Sequence, residues 1–318
     1  MRVVEPADWP DAAIAASAVI EVEEIHVGFG ASVGEGVRIR ARRVVIGQGA
    51  KIERETQARA LTGEMESFVI GDQSLIGFAN QIYVPAFSMG DYTQIHNSGL
   101  HSGYKPLNIG HNCWIGQASI LNSTECLSIG NNVRIGTGSQ IWTHVASGEL
   151  LEGCTLYGEH AVTLEDDVWL VGGAVVSPGL TVARKSIVMT GAVLTKSTEP
   201  NHTYAGIPAR DVTDRLNFWK SMSSASKVAM MDGFMAEFLL DHHRYEGRLY
   251  WMTPAIAQPQ AGDVILTENA PDWELAGRNG ASLFDLDSKT YFKQSSELEV
   301  AWIKWLVGFR ARFIPRNP

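Results

Sequence analysis

The chain has 318 residues, 45% hydrophobic and 19% charged, with a formal net charge of −9 at pH 7. That composition belongs to a folded globular protein long enough for two domains. The negative charge argues against a general role on nucleic acid or an anionic membrane, whose phosphates would repel it. Cys113, Cys126 and Cys154 are widely spaced and form no CxxC pair, which predicts a reducing, cytoplasmic setting without disulfides. Acids at Glu5, Asp8 and Asp11 are read as excluding a signal peptide. No apolar run approaches the ~20 residues of a membrane span.

Residues 1–24 read as a lead-in. A basic cluster follows (Arg38, Arg40, Arg42, Arg43), and it is expected to form a solvated rim. A repeat starts weakly at Ile46-Gly47 and becomes regular at Ile70, Ile76 and Ile82. It resumes at Ile109, Ile115 and Leu121, then at Ile129, Ile135 and Ile141. From Leu164 an aliphatic residue returns at every sixth position through Leu170, Val176, Val182, Val188 and Leu194.

A period of six matches neither the 3.6 of a helix nor the alternation of a strand. It fits a short strand and a sharp corner, repeated, with the aliphatic side chain pointing inward. Three units close a triangular coil, and stacked coils bury one apolar column. Small residues are expected at the corners, where dihedrals are unusual, and Asn131-Asn132 reads as such a corner. The register slips between Leu121 and Ile129. It is lost over the polar stretch Thr143 to Glu159, an insertion of the kind that borders binding sites.

Beyond residue 212 the texture changes to a second, α+β module over 213–318. Residues 213–243 read as one or two helices broken near Gly233, with His242-His243 at the helix end. Asp263–Thr267 and Ser282–Phe292 read as strands. Ser296-x-x-Glu299 forms a capping box ahead of an amphipathic helix over Val300–Phe313.

The segment Asp166–Arg210 reads DDVWLVGGAVVSPGLTVARKSIVMTGAVLTKSTEPNHTYAGIPAR. With its Trp-bearing turn, V-x-PG-x-x-V, Gly-Ala-Val-x-Thr-Lys and closing A-G-x-P-A-R, it resembles the terminal coils of hexapeptide-repeat acetyltransferases. That group includes galactoside, maltose, xenobiotic and other sugar O- and N-acetyltransferases. The resemblance implies a mainly β fold, a left-handed parallel β-helix over 25–212, followed by the small α+β module. It also implies a homotrimer that uses acetyl-CoA as co-substrate, acting on a sugar, nucleotide-sugar or similar small acceptor. Carried over by position, it places Gly172, Thr190, Thr195, Lys196 and Arg210 along the cofactor groove. Small residues there let a cofactor approach the backbone, and Lys or Arg neutralises phosphate. Val171 stands where the family usually has Gly, and Thr190 where it often has Ala.

Acyl transfer to a hydroxyl or amine needs a general base, and histidine suits the role near neutral pH. The resemblance assigns that role to His144, in IWTHVASGE, with His160 as second candidate. A partner is expected to fix the tautomer, either Glu149 or a backbone carbonyl. His96 and His101 resemble two zinc ligands of the γ-class carbonic anhydrases, but no third histidine lies upstream of them within reach. No metal site is therefore predicted, and the pair is expected to line the acceptor groove or cap a coil. A zinc hydratase of that class and a non-catalytic scaffold are the alternative readings.

Overall fold

A computed structural model describes residues 2–4, 9–146, 148–252, 259–269 and 279–316. The chain divides into two units, Met1–Trp219 and Lys220–Pro318. Among the described residues no helix is long and apolar enough to cross a membrane.

The first unit is a parallel β-solenoid with three strand ladders, one per face. One ladder stacks the strands that carry Val33, Ile52, Ile76, Ile95, Ile115, Ile135, Leu170 and Val188 in register. The second stacks Ile20, Ile39, Ala58, Ile82, His101, Leu121, Ile141, Val176 and Leu194. The third stacks Ile46, Ile70, Met89, Ile109, Ile129, Leu164 and Val182. Nearly all of these side chains are fully buried and form one continuous core. Each buried Ile or Leu contributes roughly 1.5–3 kcal/mol of apolar burial, so the column as a whole dominates the stability.

The six-residue spacing is kept at two of the three corners. From the third face to the first it runs Ile70 to Ile76, Ile109 to Ile115 and Leu164 to Leu170. From the first to the second it runs Ile76 to Ile82, Ile115 to Leu121 and Leu170 to Val176. Each of these corners puts one residue per coil in the left-handed region: Gln73, Tyr92, Asn112, Asn132, Asp167 and Lys185 at one, Ala79, Ser98, Ala118, Gly138 and Gly173 at the other. At the second corner these residues are small, Glu55 excepted, as the sequence suggested, whereas the first corner accepts Gln, Tyr, Asn, Asp and Lys. Tyr92 and Lys185 hold φ near +56° and +60°, a region sparsely open to bulky side chains, although Tyr92 is buried.

One corner column is further tied by side chains that accept from the backbone of the preceding coil. Asp72 caps Gln48, Asp91 caps Asp72, His111 caps Asp91, Asn131 caps His111 and Asp166 caps Asn131, at 2.7–2.9 Å. The third corner, from second face to third, varies in length: Ile82 to Met89, Leu121 to Ile129, Ile141 to Leu164. Every slip in the repeat lies at this corner. Where it too shrinks to six residues, between Val176 and Val182, Gly179 adopts φ +80°.

The ladder also reaches further toward the N-terminus than the repeat suggests. Ala13–Ile14 pairs with Ser32–Val33, Val19–Val22 joins the second ladder, and Arg2–Val3 adds an antiparallel edge.

The second unit carries a five-stranded sheet in the order Leu249–Trp251, Val264–Thr267, Ser282–Asp285, Thr290–Phe292, Ile314–Arg316. The first strand and the last, Ile314–Arg316, escaped the sequence reading, and the predicted strand Ser282–Phe292 is a hairpin. Helix Ser224–Asp241 runs through Gly233 unbroken. An exposed helical glycine costs only ~1 kcal/mol, and the Ser223 cap with the buried Met231 and Phe238 outweighs it. His242 donates from Nδ1 to the Phe238 carbonyl, closing that helix end. Half of the capping box forms, with Ser296 accepting from Glu299 N–H, while the Glu299 carboxylate takes the N–H groups of Gln294 and Ser295 ahead of the cap. The helix it opens, Glu297–Leu306, ends before the predicted Phe313; Arg310 donates to the Trp305 carbonyl of its last turn, and Arg312 to Val307 and Gly308 just beyond it.

Candidate active site

His144 lies at the variable corner, in the first strand of a hairpin pairing His144–Ala146 with Tyr157–Glu159. The insertion thus springs from the ladder at Ile141 and returns to it at Val162. It holds a short 3-10 turn at Leu150–Glu152, and Leu150, Leu151, Leu156 and Tyr157 are exposed. The stretch that reads as polar in sequence therefore exposes apolar side chains in the insertion that His144 opens.

The His144 Nδ1 lies 2.9 Å from Oδ1 of Asn122, one coil below. Asn122 is almost fully buried, and its amide orientation is settled by its other partners. Its Oδ1 accepts from the backbone N–H of Thr143 at 3.3 Å and of Thr124 at 3.4 Å, and from the Thr143 hydroxyl at 2.8 Å. Its Nδ2 donates to the Ser102 carbonyl and to the Thr124 hydroxyl. An oxygen facing Nδ1 requires the proton on Nδ1, so the neutral imidazole keeps its lone pair on Nε2. The tautomer-fixing acceptor is Asn122, where Glu149 or a carbonyl was expected; Glu149 stands exposed, with its backbone carbonyl accepting from Glu152 and Cys154. Trp142 meets the His144 ring edge-on at 5.9 Å and is held by Gln140. His160 closes the hairpin by donating its backbone N–H to Thr143 O.

Four of the five cofactor candidates fall into two pairs flanking the second face, and Arg210 lies apart from them. Thr195 stacks in one row with Ser177 and Trp142, through the bonds Trp142 N–H to Val176 O and Ser177 N–H to Leu194 O. It therefore lies two rungs, roughly 10 Å, from the row beside His144. Lys196 follows at the same corner. Gly172 and Thr190 stack on Thr137 at the opposite corner, tied by Gly173 N–H to Thr137 O and Gly191 N–H to Gly172 O. Arg210 lies in the closing hairpin, opposite Ala205. Five residues separate Gly172 from Ser177, roughly 16 Å of strand. Lys196 and Arg210 are exposed, and their side chains make no hydrogen bond or ion pair among the described residues. Val171, the departure from the family pattern, is half-buried and takes part in the ladder through Val188 O.

His96 and His101 part company. His96 stacks on Trp114 at 4.8 Å. His101 points inward between Ile82 and Leu121, fully buried, with neither ring nitrogen partnered. It lines no groove, since it occupies an aliphatic position of the column. Burial drives its pKa down to about 4. Among the described residues no group of three metal-binding side chains comes together.

No protein-family model matches the chain. Over 114 residues it is 27% identical to the galactoside O-acetyltransferase of Escherichia coli K12, covering 34% of this chain and 56% of that protein. Over 92 residues it is 32% identical to the galactoside O-acetyltransferase of Lactococcus lactis, covering 28% and 44%. The chain thus spans about half the length of these curated relatives. A solved hexapeptide-repeat acetyltransferase of Vibrio cholerae, crystallised with acetyl coenzyme A, aligns at 20% identity and a TM-score of 0.32, covering 45% of this chain and 69% of that one. The curated relatives that this β-solenoid chain resembles in sequence are thus galactoside O-acetyltransferases.

Proposed function

We propose that the chain is an acetyl-CoA-dependent O- or N-acetyltransferase of a sugar, nucleotide-sugar or similar small acceptor, with His144 as general base. The observation that carries this reading is the 2.9 Å contact between His144 Nδ1 and an Asn122 oxygen whose orientation is independently fixed. It leaves Nε2 as a lone-pair base, able to take the acceptor proton as its oxygen or nitrogen attacks the thioester carbonyl. The attack forms the new C–O or C–N bond, and the thiol of CoA departs.

Gly172, Thr190, Thr195, Lys196 and Arg210 are assigned to acetyl-CoA, the two free cations to its phosphates. Because Gly172 and Thr190 lie at one edge of the second face and Thr195 and Lys196 at the other, the reading includes a homotrimer in which a neighbour closes the groove. The exposed leucines of the insertion beside His144 supply apolar surface for that contact. A cytoplasmic location belongs to the same proposal and rests on the three free cysteines.

Thermal unfolding with and without acetyl-CoA tests the reading. A ligand at ~100 times its dissociation constant stabilises the native state by ~2.7 kcal/mol, which a melting curve resolves. An upward shift lost in a Lys196→Ala/Arg210→Ala variant supports it. A curve unmoved by millimolar acetyl-CoA counts against it.

A further inference from the structure

The four arginines near the start of the chain are not one rim. The strand Arg38–Ile46 bends at buried Ala41, so its first half lies on the second face and its second half on the third. On the third-face side, Arg42 pairs with Glu64 at 3.1 Å and Glu66 at 3.6 Å, and Arg43 pairs with Glu24. Those two are neutralised.

Arg38 and Arg40 alternate with buried Ile39 and so point outward together. The next rung pairs Gln57 with Arg38 and brings Arg59 beside Arg40. Arg59 lies over the Tyr83 ring at 4.6 Å, and Tyr83 donates its hydroxyl to Gln57 at 3.1 Å. Arg40 meets Glu21 at 3.4 Å, whereas the Arg38 guanidinium has no polar partner among the described residues. Arg38, Arg40, Arg59, Gln57 and Glu21 line a surface depression of about 220 Å³.

Three guanidinium groups on adjacent rungs repel one another, and like charges opposite each other weaken a ladder. Among the described residues Glu21 supplies the one carboxylate that lines the depression, which leaves two positive charges there on a chain whose net charge is −9. That residual charge equals the charge of a phosphate dianion, and the planar forks of Arg suit phosphate oxygens. We propose that this depression binds a phosphate dianion, either inorganic phosphate or the phosphate of a small phosphorylated metabolite. It is separate from the site at His144: five rungs of the second ladder lie between the strands of Arg40 and Ile141, roughly 24 Å. The inference does not depend on the acetyltransferase reading.

Calorimetric titration of the full chain at low salt, with inorganic phosphate and with a hexose phosphate, tests it. Saturable binding of one ligand per chain is expected, tightening from pH 5.5 to 7.5 as the second phosphate proton leaves near pH ~6. Arg38→Gln/Arg59→Gln, whose exposed positions leave the core untouched, should lose at least about tenfold in affinity, the worth of a charge-assisted hydrogen bond. Arg38→Lys/Arg59→Lys should lose less, and Glu21→Gln should bind more tightly. Arg42→Gln, which removes a cation of the same cluster that is already paired, should change affinity less than twofold. Equal affinities assign the site to free phosphate, and tighter hexose phosphate assigns it to a phosphorylated sugar. No saturable binding at ~10 mM of either ligand, a range weaker than any specific site, would overturn the proposal. So would Arg42→Gln matching the double variant, or an oligonucleotide binding where neither phosphate does.

Discussion

Replacing His101 by Leu should stabilise the solenoid, and by more as the solution is made acidic. His101 occupies an aliphatic position between Ile82 and Leu121, with both ring nitrogens buried and unpartnered. At pH 7.5 Leu of similar size removes that unmet demand, a gain of about 1–3 kcal/mol. The pH term has a definite sign. Burial lowers the folded pKa from 6.5 to about 4, so below pH 6.5 the unfolded chain binds a proton that the folded chain refuses. Stability is then complete above pH 6.5 and drains away as pH falls toward 4. A displacement of that size corresponds to ~3 kcal/mol over the whole range. Urea unfolding of the wild type and His101→Leu, followed by circular dichroism at pH 7.5, 6.0, 5.0 and 4.5, isolates the term as the difference between them. The difference should widen steadily toward acid. A constant difference, or a variant less stable at pH 7.5, would refute the burial argument.

Asn122→Leu removes the acceptor that holds His144 Nδ1–H; turnover should fall on the order of tenfold to a hundredfold, less than removing the base itself. Asn122→Asp, which still accepts, should recover most of that loss in the same steady-state assay. Gly172→Ala is expected to separate binding from folding, because a Cβ there meets only the Thr137 backbone, O at 3.3 Å and N at 3.9 Å, and the φ is not left-handed. Its melting temperature should stay within about 2 °C, as for a surface change, while the KM for acetyl-CoA rises; an unchanged KM would remove Gly172 from the groove.

The solenoid was legible because two of its corners never change length. Ile70, Ile76 and Ile82, or Leu164, Leu170 and Val176, keep six residues whatever happens elsewhere in the coil. The third corner follows no such rule, so the slip at Leu121–Ile129 and the insertion after Ile141 read as separate accidents although they share one edge. His101 hid its own role. A histidine at an inward position breaks an aliphatic pattern, and its nearness to His96 suggested a polar pair that the fold pulls apart. Asn122 left a signal that only coil length decodes: it pairs across the ladder with the row of Trp142, two residues before His144. In the second unit the capping box was readable from local chemistry. The strand Ile314–Arg316 was not, since a three-residue strand that contains Pro315 shows no periodicity.

The central claim is that His144 takes a proton from an acetyl acceptor. Release of CoA from acetyl-CoA by the wild type and His144→Ala, across a panel of sugars and amines, tests it directly. The account predicts acceptor-dependent release by the wild type and a loss of about 10²- to 10⁴-fold in the variant, with acetyl-CoA affinity within about twofold because the cofactor residues are untouched. Activity in His144→Ala within a few-fold of wild type, or no release by the wild type with any acceptor, would contradict it.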